Sequence, residues 1–206
     1  MKLFGKKKKI PSYLEEENLS LGKQAFIFFW EVFKVVVISL VIIVPVRYFL
    51  IKPFYVKGAS MEPSFYDHEY LIIDEISYRF GEPERGDTVV FRYPFDLSQY
   101  FIKRIIGLPT EKIKIAEGKI TIFNQANPQG VELQENYLLP AMKTLGDVEV
   151  ELGQDEYYVL GDNRIASLDS RAFGPVPRKD IIGRTLVRGW PLDRFGLVLN
   201  DLNYNF

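Results

Sequence analysis

One long apolar stretch dominates the first quarter of the chain, at residues 25–51. Its uninterrupted core, residues 35–46, would span only about 18 Å as a helix, against a hydrocarbon layer of ~30 Å. The segment crosses a bilayer only if the flanking Lys34 and Arg47 extend their charges to the two interfaces. Glu31 is spaced to pair with Lys34 one helical turn away. We predict a single transmembrane anchor over residues 25–51.

The alternatives for this segment are a buried core helix and a cleaved signal peptide. The signal-peptide interpretation is poor, because Pro45-Val46-Arg47 is no small-residue cleavage site and the preceding charged region is too long. Residues 1–24 are rich in lysine, which predicts a solvated basic tail on the cytoplasmic side. Residues 52–206 would then form an extracytoplasmic domain.

After residue 52 the pattern changes to short β-branched and aromatic runs between Gly, Pro and Asp. Residues 112–123 alternate in polarity and turn at Glu117-Gly118, which indicates a hairpin. No long amphipathic helix follows the anchor, and residues 124–143 indicate an irregular insertion. We predict a mainly β fold, a sandwich or an irregular barrel of coiled sheets. Its further strands are expected at residues 70–73, 87–91, 100–107, 148–152, 157–160 and 181–187.

Composition narrows the chemistry. The formal net charge of −1 argues against a nucleic-acid partner, and the absence of cysteine excludes disulfides and thiol chemistry. With a single histidine, His68, a conventional zinc site is not expected, and we predict no metal or cofactor. A serine mechanism would have one imidazole available, or would need another base.

Two segments carry candidate chemistry early in the domain. Gly58-Ala59-Ser60-Met61-Glu62-Pro63 places a hydroxyl on a bent backbone, although the same residues are typical of an ordinary turn. Lys103 and Arg104 are adjacent in an apolar strand, so one of them should face the packed side. Such a residue usually pairs with a carboxylate or extends to solvent. The alternative is a lysine kept neutral by desolvation, which costs about 4–5 kcal/mol and indicates a functional site.

A third segment, residues 161–176, is dense in short polar side chains. Asp162 with Arg164, and Asp169 with Arg171, could form charge-assisted hydrogen bonds that pin a loop. A plain exposed loop is one alternative. A cation-binding loop is another, but the spacing does not match the calcium-hand pattern.

Four segments in this order resemble the sequence boxes of type I bacterial signal peptidases, peptidase family S26. They are Gly58 to Pro63, Gly86 to Phe91, Lys103 to Pro109, and Gly161 to Arg164 with Asp169 to Arg171. Each segment alone is weak evidence for this family. All four in this order, after a membrane anchor, are a specific signature of it. The resemblance implies a serine–lysine dyad, with Ser60 as nucleophile and Lys103 as general base.

The resemblance also implies supporting and substrate-binding residues. Ser167 corresponds to a hydroxyl that orients the lysine, Asp169 and Arg171 to a supporting ion pair, and Asp162 and Arg164 to braces of the same loop. An extended peptide would add as a strand beside residues 54–60 and 100–103. The shallow pockets for its small side chains would be lined by Phe54, Val56, Met61, Phe101 and Ile102, for each of which core packing is the alternative.

One departure concerns Gly58, where many relatives carry a serine whose hydroxyl stabilises the oxyanion. Glycine has no such group, so the Ser60 N–H must be joined by another donor.

The sequence thus predicts a single-pass plasma-membrane serine endopeptidase that removes signal peptides from exported preproteins, acting close to the bilayer and near the export channel. One alternative is a serine–lysine maturation peptidase with narrow specificity. Another is a non-catalytic, membrane-tethered β module that binds exported peptides.

Overall fold

The computed structural model of the protein describes residues 20–45, 51–139 and 142–198. The chain divides into two compact units, residues 1–45 and residues 46–206.

The described part of the first unit, residues 20–45, contains one helix, α1, at Leu21–Pro45. Its 25 residues correspond to about 37 Å, which exceeds the ~30 Å hydrocarbon layer. The helix is therefore long and apolar enough to cross a membrane. The predicted Glu31–Lys34 pair is present at 2.7 Å. The predicted end of the anchor was too late, because Ile51 already belongs to the first strand.

The second unit is mainly β, as predicted. Two antiparallel sheets contain all twelve strands found in the described residues. The strands are β1 Ile51–Tyr55, β2 Tyr70–Asp74, β3 Thr88–Tyr93, β4 Asp96–Gly107, β5 Lys112–Ala116, β6 Lys119–Phe123, β7 Val131–Glu132, β8 Val148–Glu151, β9 Glu156–Leu160, β10 Val176–Pro177, β11 Ile181–Trp190 and β12 Gly196–Leu197. The described part of this unit also contains two four-residue α-helices, α2 Ser77–Phe80 and α3 Ser170–Phe173, and two 3₁₀ turns, Arg178–Asp180 and Leu192–Arg194.

The larger sheet has eight strands in the order β1-β2-β11-β3-β4-β9-β10, with β12 added beside β11. The smaller sheet has four, in the order β7-β6-β5-β8. The predicted hairpin is confirmed: β5 and β6 pair antiparallel, and Glu117 and Gly118 at the turn both have positive φ. In the predicted insertion, the described part is irregular except for the short β7.

The larger sheet does not close into a barrel. β1 pairs only with β2, and the Asp96–Lys103 half of β4 pairs only with β3 among the described strands. Phe54 on β1 nevertheless contacts Tyr100 on β4, ring centroid to ring centroid 5.6 Å. The curled sheet therefore brings two unpaired strand edges together.

A buried apolar cluster lies under the segment that follows β1. Met61 and Phe65 are 1% and 2% exposed and pack with Leu71, Ile73 and Val90 of the larger sheet. Burying two large side chains on either side of residues 62–64 fixes this segment against the sheet.

Candidate active site

Ser60 lies half-buried in a turn between β1 and β2. Gly58, two residues earlier, has φ of +87°, a conformation that glycine adopts at no steric cost. The Gly58 N–H donates to Asp67 Oδ1 at 2.9 Å. The turn is thus held by Asp67 on one side and by buried Met61 on the other.

Lys103 faces this serine from β4. Its side chain is 4% exposed, its Nζ lies 2.7 Å from Ser60 Oγ, and it donates to the Ile102 carbonyl at 2.8 Å. Burial lowers the pKa of the Lys103 ammonium to about 8, although the carboxylates of Asp169 and Asp162 act in the opposite direction. A neutral amine can donate to the carbonyl and still offer its lone pair to the hydroxyl proton of Ser60.

The single imidazole of the chain takes no part in this contact. His68 is exposed and its Nδ1 is hydrogen-bonded to the hydroxyl of Tyr55. Lys103 is therefore the base within reach of Ser60 in the described part of the chain.

Arg104 points to the opposite face of β4 and is also buried, at 7% exposure, so both cations are buried rather than the one expected. Its guanidinium binds Asp162 bidentately, with Nε to Oδ1 at 2.8 Å and Nη2 to Oδ2 at 2.6 Å. The predicted pairing of Asp162 with Arg164 is therefore wrong. Asp162 binds Arg104 because β4 pairs with β9 at Arg104 and Leu160, two residues before Asp162. Arg164 instead binds Glu135 in the insertion and donates to the Gly161 carbonyl.

The ion pair between Asp169 and Arg171 is present as predicted, with Nε to Oδ1 and Nη2 to Oδ2 both 2.8 Å. Burial would raise the pKa of Asp169, but the hydrogen bonds and charge of Arg171, together with the Gly161 N–H, keep it below its usual value. Arg171 also donates to the carbonyls of Leu145 and Arg164. The pair therefore ties the loop to its own helix and to the chain before β8.

Gly161 and Ser167 lie where this loop approaches the serine. A Cβ at Gly161 would lie 2.2 Å from Ser167 Oγ and 2.4 Å from the Ser60 carbonyl oxygen, so only glycine fits. Ser167 Oγ is buried, and no hydrogen bond joins it to Lys103 in the residues described. The role of Ser167 in orienting the lysine stays a prediction.

Asn163 makes hydrogen bonds to the turn at Ser60 that the sequence analysis did not predict. Its backbone N–H donates to the Ser60 carbonyl at 3.1 Å, and its Nδ2 donates to the Ala59 carbonyl at 3.0 Å. Its Oδ1 accepts from the Ala166 N–H at 3.2 Å, which orients the amide. The signal was its place between Asp162 and Arg164 in the fourth segment, but only the charged neighbours had been assigned.

A cleft of about 480 Å³ begins at the dyad and runs between β1 and β4. Four of the five predicted substrate residues line it: Phe54, Val56, Phe101 and Ile102. Met61 does not, because it is buried in the core beneath the turn. Tyr55, Lys57 and Tyr100 also line it, within the predicted substrate-flanking ranges 54–60 and 100–103. The sequence analysis did not predict the remaining lining residues outside those ranges, namely Leu71, Val90, Gln99 and Leu168.

The sequence model of the family described as signal peptidase, peptidase S26, matches residues 29–190. The chain belongs to this family. The matched region of this S26 peptidase contains Ser60, Lys103 and the whole loop that carries Asp162, Asn163 and Asp169.

The alignments of this S26 peptidase with its curated relatives cover most of this chain and most of each relative. It is 39% identical to "Probable signal peptidase I-2" of Synechocystis, over 83% of this chain and 78% of the relative. It is 38% identical to signal peptidase I of Leptolyngbya laminosa, over 79% and 80%. A crystal structure of a signal peptidase I from Enterococcus faecalis matches 50% of this chain and 97% of that chain, at 29% identity and a TM-score of 0.42.

Proposed function

We propose that this S26 peptidase is a membrane-anchored serine endopeptidase that removes signal peptides from exported preproteins, with Ser60 as nucleophile and Lys103 as general base. The observation that carries the proposal is the 2.7 Å contact between Ser60 Oγ and a lysine amine that is 4% exposed. The relatives named signal peptidase I supply the substrate class.

The chemistry follows from the neutral amine. Lys103 takes the proton of Ser60 as Oγ attacks the carbonyl carbon of the scissile peptide. The resulting ammonium protonates the leaving amine, so the C–N bond breaks and an ester to Ser60 remains. Lys103, neutral again, removes a proton from the water that attacks the ester carbon. The resulting ammonium returns this proton to Ser60 Oγ as the ester C–O bond breaks, which releases the product acid and regenerates the enzyme.

The two unpaired strand edges support binding of an extended substrate. A peptide between β1 and β4 would accept and donate main-chain hydrogen bonds on both sides, with alternate side chains in the apolar cleft. Phe54, Val56, Phe101 and Ile102 would contact those side chains.

The loop between β9 and α3, residues 161–169, which we call the polar loop, would hold the dyad in place. Asp162 and Asp169 are bound by Arg104 and Arg171, and Arg164 fixes the start of the loop through the Gly161 carbonyl. We assign Ser167 to the wall behind the lysine. None of these side chains is assigned to contact substrate.

For placement in the cell, α1 would span the plasma membrane once, with the lysine-rich tail in the cytoplasm and the β domain outside. This orientation would put the enzyme on the side where signal peptides emerge, next to the export channel.

The test is cleavage of a purified preprotein by the full chain in detergent, read by N-terminal sequencing of the product. Ser60→Ala and Lys103→Ala should lower the rate by at least ~10⁴-fold, since each removes a reacting group. The matched controls are Ser64→Ala, another hydroxyl of the same segment, and Lys114→Ala, an exposed lysine of β5 that does not line the cleft.

Cleavage that survives in Ser60→Ala would remove the nucleophile assignment. A wild-type protein that binds several preproteins and cleaves none would favour the peptide-binding module instead.

A further inference from the structure

A second cavity, of about 310 Å³, opens beside the segment that follows Ser60. Arg104, Arg188 and Arg194 line it, together with the hydroxyl-bearing Ser64, and its described lining contains no carboxylate. We call it the arginine cavity. It is distinct from the cleft at the dyad, with which it shares no lining residue.

Each of the three guanidinium carbons lies over an aromatic ring. Such cation–π contacts help to hold the guanidinium groups in place before any ligand arrives. The pairs and their distances to the ring centroids are Arg104 with Tyr137 at 4.3 Å, Arg188 with Phe65 at 5.2 Å and Arg194 with Tyr66 at 4.3 Å.

Among the described residues, the guanidinium groups that line the cavity outnumber the carboxylates bound to them by one. Arg104 is matched by Asp162, but Arg188 and Arg194 share one carboxylate, Glu69, at 3.0 Å and 2.5 Å. Glu69 is 1% exposed, so it cannot turn away toward water. Two guanidinium groups on one buried carboxylate leave a charge that an anion would neutralise.

Donors remain for such an anion. Arg188 uses Nε for Glu69 and Nη2 for the Ser64 carbonyl, and Arg194 uses Nη1 for Glu69. Arg188 Nη1 and Arg194 Nη2 donate to no atom of the residues that the structure describes. Guanidinium edges of this kind match the oxygens of a phosphate.

We propose that the arginine cavity binds a phosphate group. The single excess charge suits a phosphodiester, which carries one negative charge, better than a dianion. The surface near the rim is apolar: Leu192, Phe195 and Leu197 are 70%, 64% and 66% exposed. A cationic cavity with an apolar border fits a ligand with a phosphate at one end and hydrocarbon at the other, so a lipid headgroup is the source that the chemistry favours over free phosphate.

The experiment uses the full chain, with ¹⁵N-labelled arginine, in an uncharged maltoside detergent and a buffer without phosphate. The Nε–H resonances of Arg188 and Arg194 are followed during titration with inorganic phosphate in one arm. In the other arm the probe is glycerophosphoglycerol, a lipid headgroup without its acyl chains. Sodium chloride at equal ionic strength is the reference for non-specific screening.

We expect saturable shifts of both resonances, with the tighter arm identifying the source. Arg194→Gln keeps the bond between Arg188 and Glu69, and should weaken binding at least about tenfold. Lys179→Gln removes an exposed cation elsewhere and should change it by less than about twofold. Arg194→Lys keeps the positive charge but not the planar guanidinium, and should also weaken binding. This variant provides the test if Arg194→Gln does not fold.

Shifts that rise linearly and match those in chloride would overturn the proposal. So would equal weakening by Arg194→Gln and Lys179→Gln, which would indicate attraction by net charge alone. The outcome does not depend on the dyad, because the readout is binding and not cleavage.

Discussion

Lys103 is the residue whose chemistry the fold changes most. An ammonium in water keeps its charge to about pH 10, whereas the buried Lys103 has a pKa of about 8. Burial of Lys103 lowers the stability of the fold, but it also supplies a neutral amine beside Ser60, which is the base that the dyad needs.

The same pKa predicts how the stability of the fold depends on pH. Below pH 8 Lys103 is charged in both states, and burying the charge destabilises the native state by about 3 kcal/mol, the equivalent of the shift from 10.5 to about 8. Between pH 8 and 10.5 the unfolded state binds more protons, so the stability of the wild type rises with pH.

We therefore expect Lys103→Met to unfold at higher urea than the wild type at pH 7, and this advantage to shrink toward pH 10.5. The measurement is urea unfolding of both proteins by near-ultraviolet circular dichroism at several pH values. An advantage that is constant across this range would show that Lys103 is charged in the native state throughout.

Asn163 is predicted to position the nucleophile through the Ala59 carbonyl. Removing its amide in Asn163→Ala should lower kcat about tenfold with little change in KM, because the ground-state cleft is intact. The pH at which activity rises should not move, since Lys103 keeps its surroundings. A shifted pH profile, or loss in KM alone, would contradict a positioning role.

At the scale of elements, β4 does most to assemble the site. Alternation along one strand sends Lys103 to the serine and Arg104 to Asp162, so the base and the anchor of the polar loop come from adjacent residues. A one-residue slip in the β3–β4 register would exchange the two, which is why the Val89–Lys103 and Thr88–Arg104 pairings matter.

Breaking the buried pair should be costly. Arg104→Met leaves Asp162, which is 0% exposed, without its bidentate partner, and should lower the free energy of unfolding by about 3–5 kcal/mol. The double variant Arg104→Met/Asp162→Leu should recover part of this, because no unpaired charge remains. Denaturant unfolding of the single and double variants measures the difference.

The exposed Lys119–Glu132 pair is the matched control, and Lys119→Met should lower the free energy of unfolding far less than Arg104→Met does, because solvent screens this pair. Equal losses at the two pairs would mean that burial does not govern the strength of the Arg104–Asp162 interaction.

Local pattern was enough to predict several elements. The β5–β6 hairpin follows from alternation and a Glu-Gly turn, and the Asp169–Arg171 pair from a spacing of two residues. What local pattern could not supply was partners brought from far along the chain. Asp162 binds Arg104, 58 residues away, and Arg164 binds Glu135, 29 residues away.

At the scale of the whole molecule, the strand order of the larger sheet determines two features that the sequence pattern did not predict, the open edge and the arginine cavity. β11, near the end of the described chain, inserts between β2 and β3, so the sheet stays open between β1 and β4 instead of closing as a barrel. This strand order also lets Arg188 on β11 bind Glu69 and the Ser64 carbonyl, close to the turn that carries Ser60. Neither the open edge nor the arginine cavity follows from local pattern, because both depend on this crossover.

The proposed orientation can be tested directly, since the chain has no cysteine. A membrane-impermeant maleimide should label Lys179→Cys in spheroplasts, because that position is exposed in the β domain. Lys6→Cys, in the basic tail, should be labelled only after lysis. The reverse pattern would place the β domain in the cytoplasm.

The proposed mechanism depends on an uncharged amine at Lys103 that accepts the proton of Ser60. The most direct measurement is the pH dependence of kcat/KM for preprotein cleavage by the full chain, which reports the pKa of the essential base in the free enzyme. We predict an ascending limb centred near the Lys103 pKa of about 8. A limb centred near 10.5, the value of an unburied lysine, would contradict it.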